Sequence, residues 1–180
     1  MINTSMKYLS ILLILVSAFS FSSAQSFRQG ELAVSPGLGL IGPLGAYNSP
    51  VQLIINAEYG LDDVFGVGGF LGFRYINGSL NGPTGSNAIN TAFGLRATGH
   101  FIPGFNKFLD MSIDDSKVDV YITVLTGYEI KNPQYPAIRA FIFPRPIVGA
   151  KYYLTDPLAV WVELGLGAFA LFNGGITLRL

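Results

Sequence analysis

The side chains that could do chemistry in this chain are charged groups rather than nucleophiles. His100 is the only histidine, and the chain of 180 residues has no cysteine. A metal centre would need further ligands beside His100, and neither a thiolate nor a second imidazole exists to supply them. No motif arranges a serine, a histidine and an acid as a catalytic cluster. The sequence therefore predicts a protein that is not an enzyme, with no catalytic residues, metal site or cofactor.

A group of three carboxylates, Asp110, Asp114 and Asp115, falls between two apolar segments. Alternating oxygen ligands in a glycine-containing loop can bind calcium, but this spacing does not match such a loop. We therefore expect a solvated connection over residues 102–117.

The other charges follow an alternating pattern, in which they occupy the positions between apolar residues. Successive side chains of a strand point to opposite faces, so these charges would share one face. They are Glu58, Arg74, Arg96, Asp119, Glu129, Arg145, Lys151, Glu163 and Arg179. A base facing lipid would cost about 2–4 kcal/mol near the bilayer midplane, whereas acids and bases facing a narrow lumen can pair. We expect a structural charge network in a side-chain-filled lumen, with His100 on the same face.

Eight alternating segments must position these charges. They are residues 32–40, 51–60, 64–75, 91–101, 118–130, about 139–154, 158–168 and 175–180. Most have the length of about 9–12 residues with which a tilted strand crosses a bilayer.

Composition narrows the fold class. Half of the residues are hydrophobic and only 12% are charged, far below the charge content of soluble domains. The net charge is zero, which gives no reason to expect a nucleic-acid partner. A chain this apolar without a spanning helix either buries its apolar faces in a soluble core or shows them to lipid as a closed barrel. The predicted fold is all-β: an eight-stranded antiparallel up-and-down transmembrane β-barrel.

The N-terminus has the features of a secretion signal. Lys7 precedes an apolar stretch at 8–21, and small residues follow at 22–24, as in a cleavable signal peptide. We predict a signal peptide over 1–24 and a barrel domain over 25–180. The expected location is the outer membrane of a Gram-negative bacterium.

Aromatic residues fall at both ends of the predicted strands, on the apolar face. An even strand number places both termini on the periplasmic side. The aromatic residues at periplasmic strand ends are then Tyr59, Phe65, Phe101 and Tyr152, and those at outer ends are Phe73, Tyr75 and Tyr128. Two such belts are typical of bilayer interfaces.

Two prolines interrupt the sixth segment. Pro144 and Pro146 share a parity, so both remove amide donors directed at the same neighbouring strand. One interpretation is that this part of the strand rises above the bilayer, where water solvates the opposite carbonyls. The other is a lateral seam, through which a hydrophobic molecule could leave the lumen.

Several stretches carry a family resemblance. Residues 149–156 (GAKYYLTD), 163–165 (ELG) and 175–180 (GITLRL) resemble the last three strands of small porin-like outer-membrane β-barrel proteins common in Bacteroidetes, and 118–128 is similar to their fifth strand. The resemblance implies an OmpA-like or OmpW-like barrel that the barrel-insertion machinery recognises at its C-terminal strand. Leu180 stands where the family usually has a terminal aromatic residue. We expect no cell-wall tether, because no peptidoglycan-binding domain follows the barrel.

Three functions fit this sequence. The first is a non-enzymatic outer-membrane barrel with a structural or surface-interaction role, whose partners are outer-membrane lipid and a surface ligand that the sequence does not identify. The second is a small passive channel or carrier of hydrophobic compounds. The third is a secreted, soluble lipocalin-like binding barrel with its apolar face inward, which would leave a charge-poor exterior.

Overall fold

The chain folds into a closed antiparallel β-barrel. The computed structural model describes residues 27–41, 52–76, 88–109, 117–131, 137–167 and 170–180. The eight strands are β1 Leu32–Ile41, β2 Gln52–Gly60, β3 Phe65–Ile76, β4 Ala88–His100, β5 Val118–Lys131, β6 Ala137–Thr155, β7 Leu158–Gly165 and β8 Phe172–Arg179. Each strand pairs with its sequence neighbours, and β1 pairs with β8. The predicted fold class is confirmed.

The strands form because apolar and small or polar residues alternate along them. In β2 the burial of the side chains alternates residue by residue. Within β4, Arg96 is buried while the adjacent Leu95 is 68% exposed. Ionised side chains face inward and aliphatic ones face outward, which is the reverse of a lipocalin-like barrel. The soluble alternative is therefore wrong, and the exterior is that of a transmembrane barrel.

The two ends of the barrel differ. One end, here called the helix end, holds the turns at 61–64 and 156–157 and a helix, α1, over Phe101–Leu109. The other end, here called the hairpin end, holds the connections that follow β1, β3, β5 and β7. Most residues of those connections lie outside the described ranges, as do the predicted signal peptide and the three aspartates at 110–115.

Helix α1 corrects the sequence-based expectation. Phe101 starts this helix instead of ending β4, and part of the expected solvated connection is helical. Pro103 is compatible with this helix, because proline is tolerated in the first turn, where amide donors have no intrahelical partner. Within the described ranges, no helix combines the length and apolarity needed for a membrane span.

Strand bounds near the hairpin end of β7 also differ from expectation. β7 stops at Gly165 instead of 168, and β8 begins at Phe172 instead of 175. Gly165 has a φ of +150°, a conformation that side chains rarely adopt, and a Cβ there would collide with the backbone of Pro146. The pairing of β6 with β7 ends at Ile147–Gly165, while its pairing with β5 continues to Ala137. Residues 137–146 of β6 therefore extend beyond the end of β7.

Candidate functional site

The lumen contains a buried charge cluster that joins five strands. Arg96 on β4 lies 3.0 Å from Glu163 on β7, with side chains only 2% and 1% exposed. The hydroxyl of Tyr121 on β5 donates to the same carboxylate at 3.0 Å. On the other side, Lys151 on β6 lies 3.1 Å from Glu58 on β2. These pairs cross the interior, so they connect strands that are not neighbours in the sheet.

His100 connects this cluster to a further acid. Its Nδ1 lies 2.9 Å from Asp119, and its Nε2 lies 3.2 Å from Glu58. Both carboxylates are buried. A ring that carries both protons can donate to the two acids at once. With Lys151, the group would then hold two acids and two bases and no net charge, which reduces the cost of its burial.

Above the charge cluster lies an apolar layer that the sequence interpretation did not identify. It takes one inward side chain from each of the six strands β2 to β7, and each is at most 5% exposed. Its members are Ile54, Phe70, Ala92, Leu125, Ile147 and Trp161. In β2, β4, β5 and β6 this residue is nearer the hairpin end than the charge-cluster residue of the same strand, whereas in β7 Trp161 is nearer the helix end than Glu163. Six of the eight strands thus contribute to a packed hydrocarbon layer in the lumen.

Glycine on the facing strand makes room for the largest member of this layer. A Cβ at Gly37 on β1 would collide with the ring of Trp161. The indole nitrogen of Trp161 donates to the carbonyl of Ile176 at 3.0 Å, which satisfies its polar atom. Strand parity placed these side chains on the lumen face, but it could not show that they form a layer.

Three of the predicted lumen charges pair outside the charge cluster. Arg74 lies 3.5 Å from Glu129 toward the hairpin end. At the helix end, Arg179 lies 2.8 Å from Glu31 and 3.3 Å from Asp156. Its guanidinium carbon also lies 3.9 Å from the ring centre of Tyr153. The predicted set of charges is therefore distributed over the whole height of the barrel.

The N-terminal segment, residues 27–31, closes the helix end. Phe27 is buried and stacks on His100 with ring centres 3.5 Å apart. The amide of Gly30 donates to the carbonyl of Gly60, and the amide of Gly60 donates to Glu31, both at 2.9 Å. Gly30 has a φ of +79°, which favours glycine. A single aromatic residue between polar neighbours gave no sequence signal for this contact.

Two carboxyl groups at the helix end have perturbed pKa values. The amides of Val64 and Phe65 both donate to Asp62 at 2.7 Å. These bonds, with a smaller contribution from Lys107, lower the pKa of Asp62. Burial raises the pKa of Glu31, and attraction to Arg179 opposes that rise. Across the described part of the chain, no three His, Asp or Glu residues are arranged to hold a metal ion.

The aromatic residues predicted to form belts lie on the exterior. Six of them are exposed, and Phe73 is partly buried; the exposed ones are Tyr59, Phe65, Tyr75, Phe101, Tyr128 and Tyr152. Their strand ends divide them as the sequence indicated, except that Phe101 stands on α1.

The two prolines of β6 lie beside the end of β7. The carbonyl of Pro146 accepts a bond from the amide of Leu166 at 3.1 Å. Pro144 falls where the register between β5 and β6 shifts. Arg145 donates to the carbonyl of Gly167 at 3.1 Å, so its side chain crosses from β6 to the β7–β8 connection.

The fold and this interior define an eight-stranded transmembrane β-barrel with a side-chain-filled lumen. No protein-family model and no curated protein matches the chain. Several solved structures do match the chain. A de novo designed transmembrane β-barrel is 16% identical, covering 85% of this chain and 98% of its own, with a TM-score of 0.49.

Two natural barrels are also similar in structure. The N-terminal β-barrel domain of Pseudomonas aeruginosa OprF is 13% identical, with 84% of this chain and 98% of that chain covered and a TM-score of 0.49. Ail, the attachment invasion locus protein of Yersinia pestis, is 10% identical, with 84% and 96% covered and a TM-score of 0.44. At these values, none of the three carries an inference about what this chain does.

Proposed function

We propose that this chain is a non-enzymatic outer-membrane β-barrel of a Gram-negative bacterium, with a closed lumen and a structural or surface-interaction role. The apolar layer is the observation that carries this proposal. Six side chains from six consecutive strands meet there and are at most 5% exposed. An eight-stranded barrel is just wide enough for side chains to fill its interior. Neither an ion nor a solute can pass such a layer without displacing it.

The exterior and the predicted secretion signal support the membrane location. Outward residues such as Leu95, Val148 and Leu164 are more than half exposed in the isolated barrel, and only lipid would cover them favourably. Outer-membrane lipid is accordingly the proposed partner of this surface. The resemblance to Bacteroidetes porin-like barrels, and recognition of β8 by the barrel-insertion machinery, belong to the same proposal. Retention in the membrane pellet after alkaline carbonate extraction, with release by detergent, would test the location.

The proposal that the protein is not an enzyme depends on whether a substrate can reach its buried acid and base groups. Glu58, His100 and Asp119 are the groups most suited to acid–base chemistry, and all three are buried. The apolar layer separates them from the hairpin end, and Phe27 stacks on His100 at the helix end. A substrate would have to displace one of these two closures to reach them.

Single-channel recording in planar bilayers tests the closed lumen. We expect no steady conductance steps from the refolded protein. The triple variant Ile54→Ala, Phe70→Ala, Leu125→Ala truncates three of the six side chains of the apolar layer and should increase brief leak events. The matched control Leu53→Ala, Leu71→Ala, Val124→Ala truncates the outward neighbours in the same strands and should leave the baseline silent. Steady steps from the unmodified protein would contradict the proposal.

A passive carrier with a lateral exit is the second candidate, and the geometry of β6 is what favours it. Residues 137–146 have no β7 partner, and Pro146 cannot donate to that edge. Two bonds oppose an open seam, namely those from Leu166 to Pro146 and from Arg145 to Gly167. Amide exchange distinguishes the two cases. Slow exchange at Leu166, whose amide donates to the carbonyl of Pro146, would exclude a gap, and exchange as fast as in an open loop would favour one.

A further inference from the structure

Helix α1 presents exposed apolar side chains at the helix end of the barrel. Phe108 and Leu109 are 64% and 62% exposed, and Phe101 is also exposed. Positions separated by seven and eight residues share one face of a helix. Phe101, Phe108 and Leu109 therefore share one apolar side of the helix, which lies outside the lumen.

Two attachments hold this helix against the barrel. It begins directly after the last residue of β4, His100, whose amide donates to the carbonyl of Val64 at 2.8 Å. Near the other end of the helix, Lys107 lies 3.2 Å from Asp62 in the β2–β3 turn. Because both ends are attached to the same rim, the helix lies beside the barrel.

An apolar crevice separates α1 from the barrel wall. Its volume is about 360 Å³, and the wall side is formed by Val64, Phe65, Gly99 and Ile122. Gly99 leaves the crevice open, because its nearest neighbours would lie 3.8 Å and 3.9 Å from an added Cβ. Among the described lining residues, His100 is the one polar residue, and its ring nitrogens face Asp119 and Glu58 in the lumen. The described lining thus offers hydrocarbon and no free polar recognition group.

The crevice is continuous with the lipid-facing exterior. Phe65 and Ile122 belong to the outward faces of β3 and β5, and both are exposed. A short helix with phenylalanine and leucine on one face and lysine on another is typical of segments that lie in a membrane interface. Lys107 lies between Phe108 and the acidic turn, with its ammonium 5.7 Å from the Phe108 ring centre.

We propose that α1 is an in-plane anchor in the periplasmic leaflet of the outer membrane, and that an acyl chain of a phospholipid in that leaflet occupies the crevice. This inference rests on the membrane location proposed above. The occupant is an acyl chain because the described lining is apolar and the crevice opens directly onto the surface that lipid is proposed to cover.

Labelling at single cysteines tests the position of the helix, since the natural sequence has none. Phe108→Cys and Leu109→Cys report on α1, Leu95→Cys on the barrel wall, and Asp63→Cys on an exposed turn at the same end. Each protein is labelled with an environment-sensitive fluorophore and folded into vesicles of phosphatidylethanolamine and phosphatidylglycerol that contain nitroxide lipids. We expect strong quenching of the labels at positions 95, 108 and 109 and weak quenching of the label at position 63. At the two helix positions, a nitroxide near the lipid headgroup should quench more than one deep in the acyl chains.

The outcomes separate this inference from the membrane location. Quenching at 95, with 108 and 109 no more quenched than 63, would overturn the helix anchor alone. Weak quenching at 95 as well would overturn the location and the anchor together.

Filling the crevice with a larger side chain tests whether an acyl chain occupies it. Gly99→Leu places a side chain in the crevice, and Ala97→Leu places one on the same strand two residues away. A phospholipid with a diazirine on its acyl chain should label the α1 peptide of the unmodified protein. We expect Gly99→Leu to lower that labelling several-fold while Ala97→Leu preserves it. Equal labelling in both variants would overturn the crevice site, provided that both run as folded barrels in unheated SDS gels.

Discussion

At the residue scale, the interior holds charged side chains that are almost fully buried. Arg96, Glu163 and Tyr121 form one connected group, and Glu58, Lys151 and His100 form another. A buried charge is tolerated only when its partner is also in place, because removing one partner leaves the other desolvated and uncompensated. Strand parity predicted which residues face inward. It could not predict which acid meets which base, since those partners come from opposite walls.

Replacing one member of the Arg96–Glu163 pair should be much more harmful than replacing both. We expect Arg96→Met to lower the free energy of unfolding by about 3–5 kcal/mol, because it leaves the buried carboxylate without its cation. The double variant Arg96→Met, Glu163→Gln keeps an acceptor for Tyr121 and should recover most of the loss. Urea unfolding in phospholipid vesicles measures both. Equal losses in the single and double variants would show that the pairing does not matter.

Asp62 should make stability depend on pH. Two backbone amides lower its pKa below the ordinary value of 3.8, so the folded state favours the ionised carboxylate. Its contribution is therefore complete above the ordinary pKa and is lost as the pH falls toward the lowered value.

The variant Asp62→Asn keeps an oxygen acceptor but removes the charge. The difference in unfolding free energy between the natural protein and Asp62→Asn should be constant near neutrality and shrink as the pH falls below about 4. Titration of urea unfolding against pH checks this, with Asp62→Ala as the control that also loses the acceptor. A difference that is independent of pH across this range would contradict the assignment.

At the element scale, the strands follow from alternation, while the elements that close the helix end do not. The N-terminal segment is too short and polar to have its own structure. It is ordered because Phe27 stacks on the ring of His100. Helix α1 is only nine residues long, and so short a helix depends on its attachment to the barrel rim rather than on propensity. Both elements exist because the closed barrel provides a surface for them.

Truncating Phe27 should release the N-terminal segment. Phe27→Ala removes the buried ring, and such truncations cost about 3–5 kcal/mol when the site cannot collapse. Trypsin cleavage after Arg28 should then become much faster, while the barrel strands remain protected. Gln29→Ala, whose side chain makes only an exposed hydrogen bond, should leave the cleavage rate nearly unchanged. Equal rates in both variants would show that Phe27 does not hold the segment.

At the scale of the whole molecule, the two faces of the sheet have exchanged the roles that they have in a soluble protein. The charges lie inside and the aliphatic side chains lie outside, where only hydrocarbon makes the arrangement favourable. Closure of β1 on β8 leaves no edge strand in the described sheet, although residues 137–146 of β6 extend past the end of β7. The proposed location depends on this inversion.

A single arginine on the exterior tests whether that surface faces lipid. Leu95 lies mid-strand on the exterior and is exposed, so Leu95→Arg should lower the free energy of unfolding in vesicles by about 2–4 kcal/mol. Leu61→Arg, in an exposed turn at the helix end, should have an effect close to zero. If the arginine at 95 is tolerated as well as the one at 61, the exterior does not face lipid.

Which of the two strand faces meets the lumen stayed open between a transmembrane and a lipocalin-like barrel. The sequence by itself determined the number of strands and which side chains of a strand share a face. These follow from a two-residue period, which is local and can be read along the chain. Only the tertiary structure decided that six inward side chains form a sealing layer, that His100 stands between two carboxylates with Phe27 on its ring, and that α1 lies against the rim. Each of these contacts joins residues far apart in the chain, and their distances are fixed only when the barrel closes.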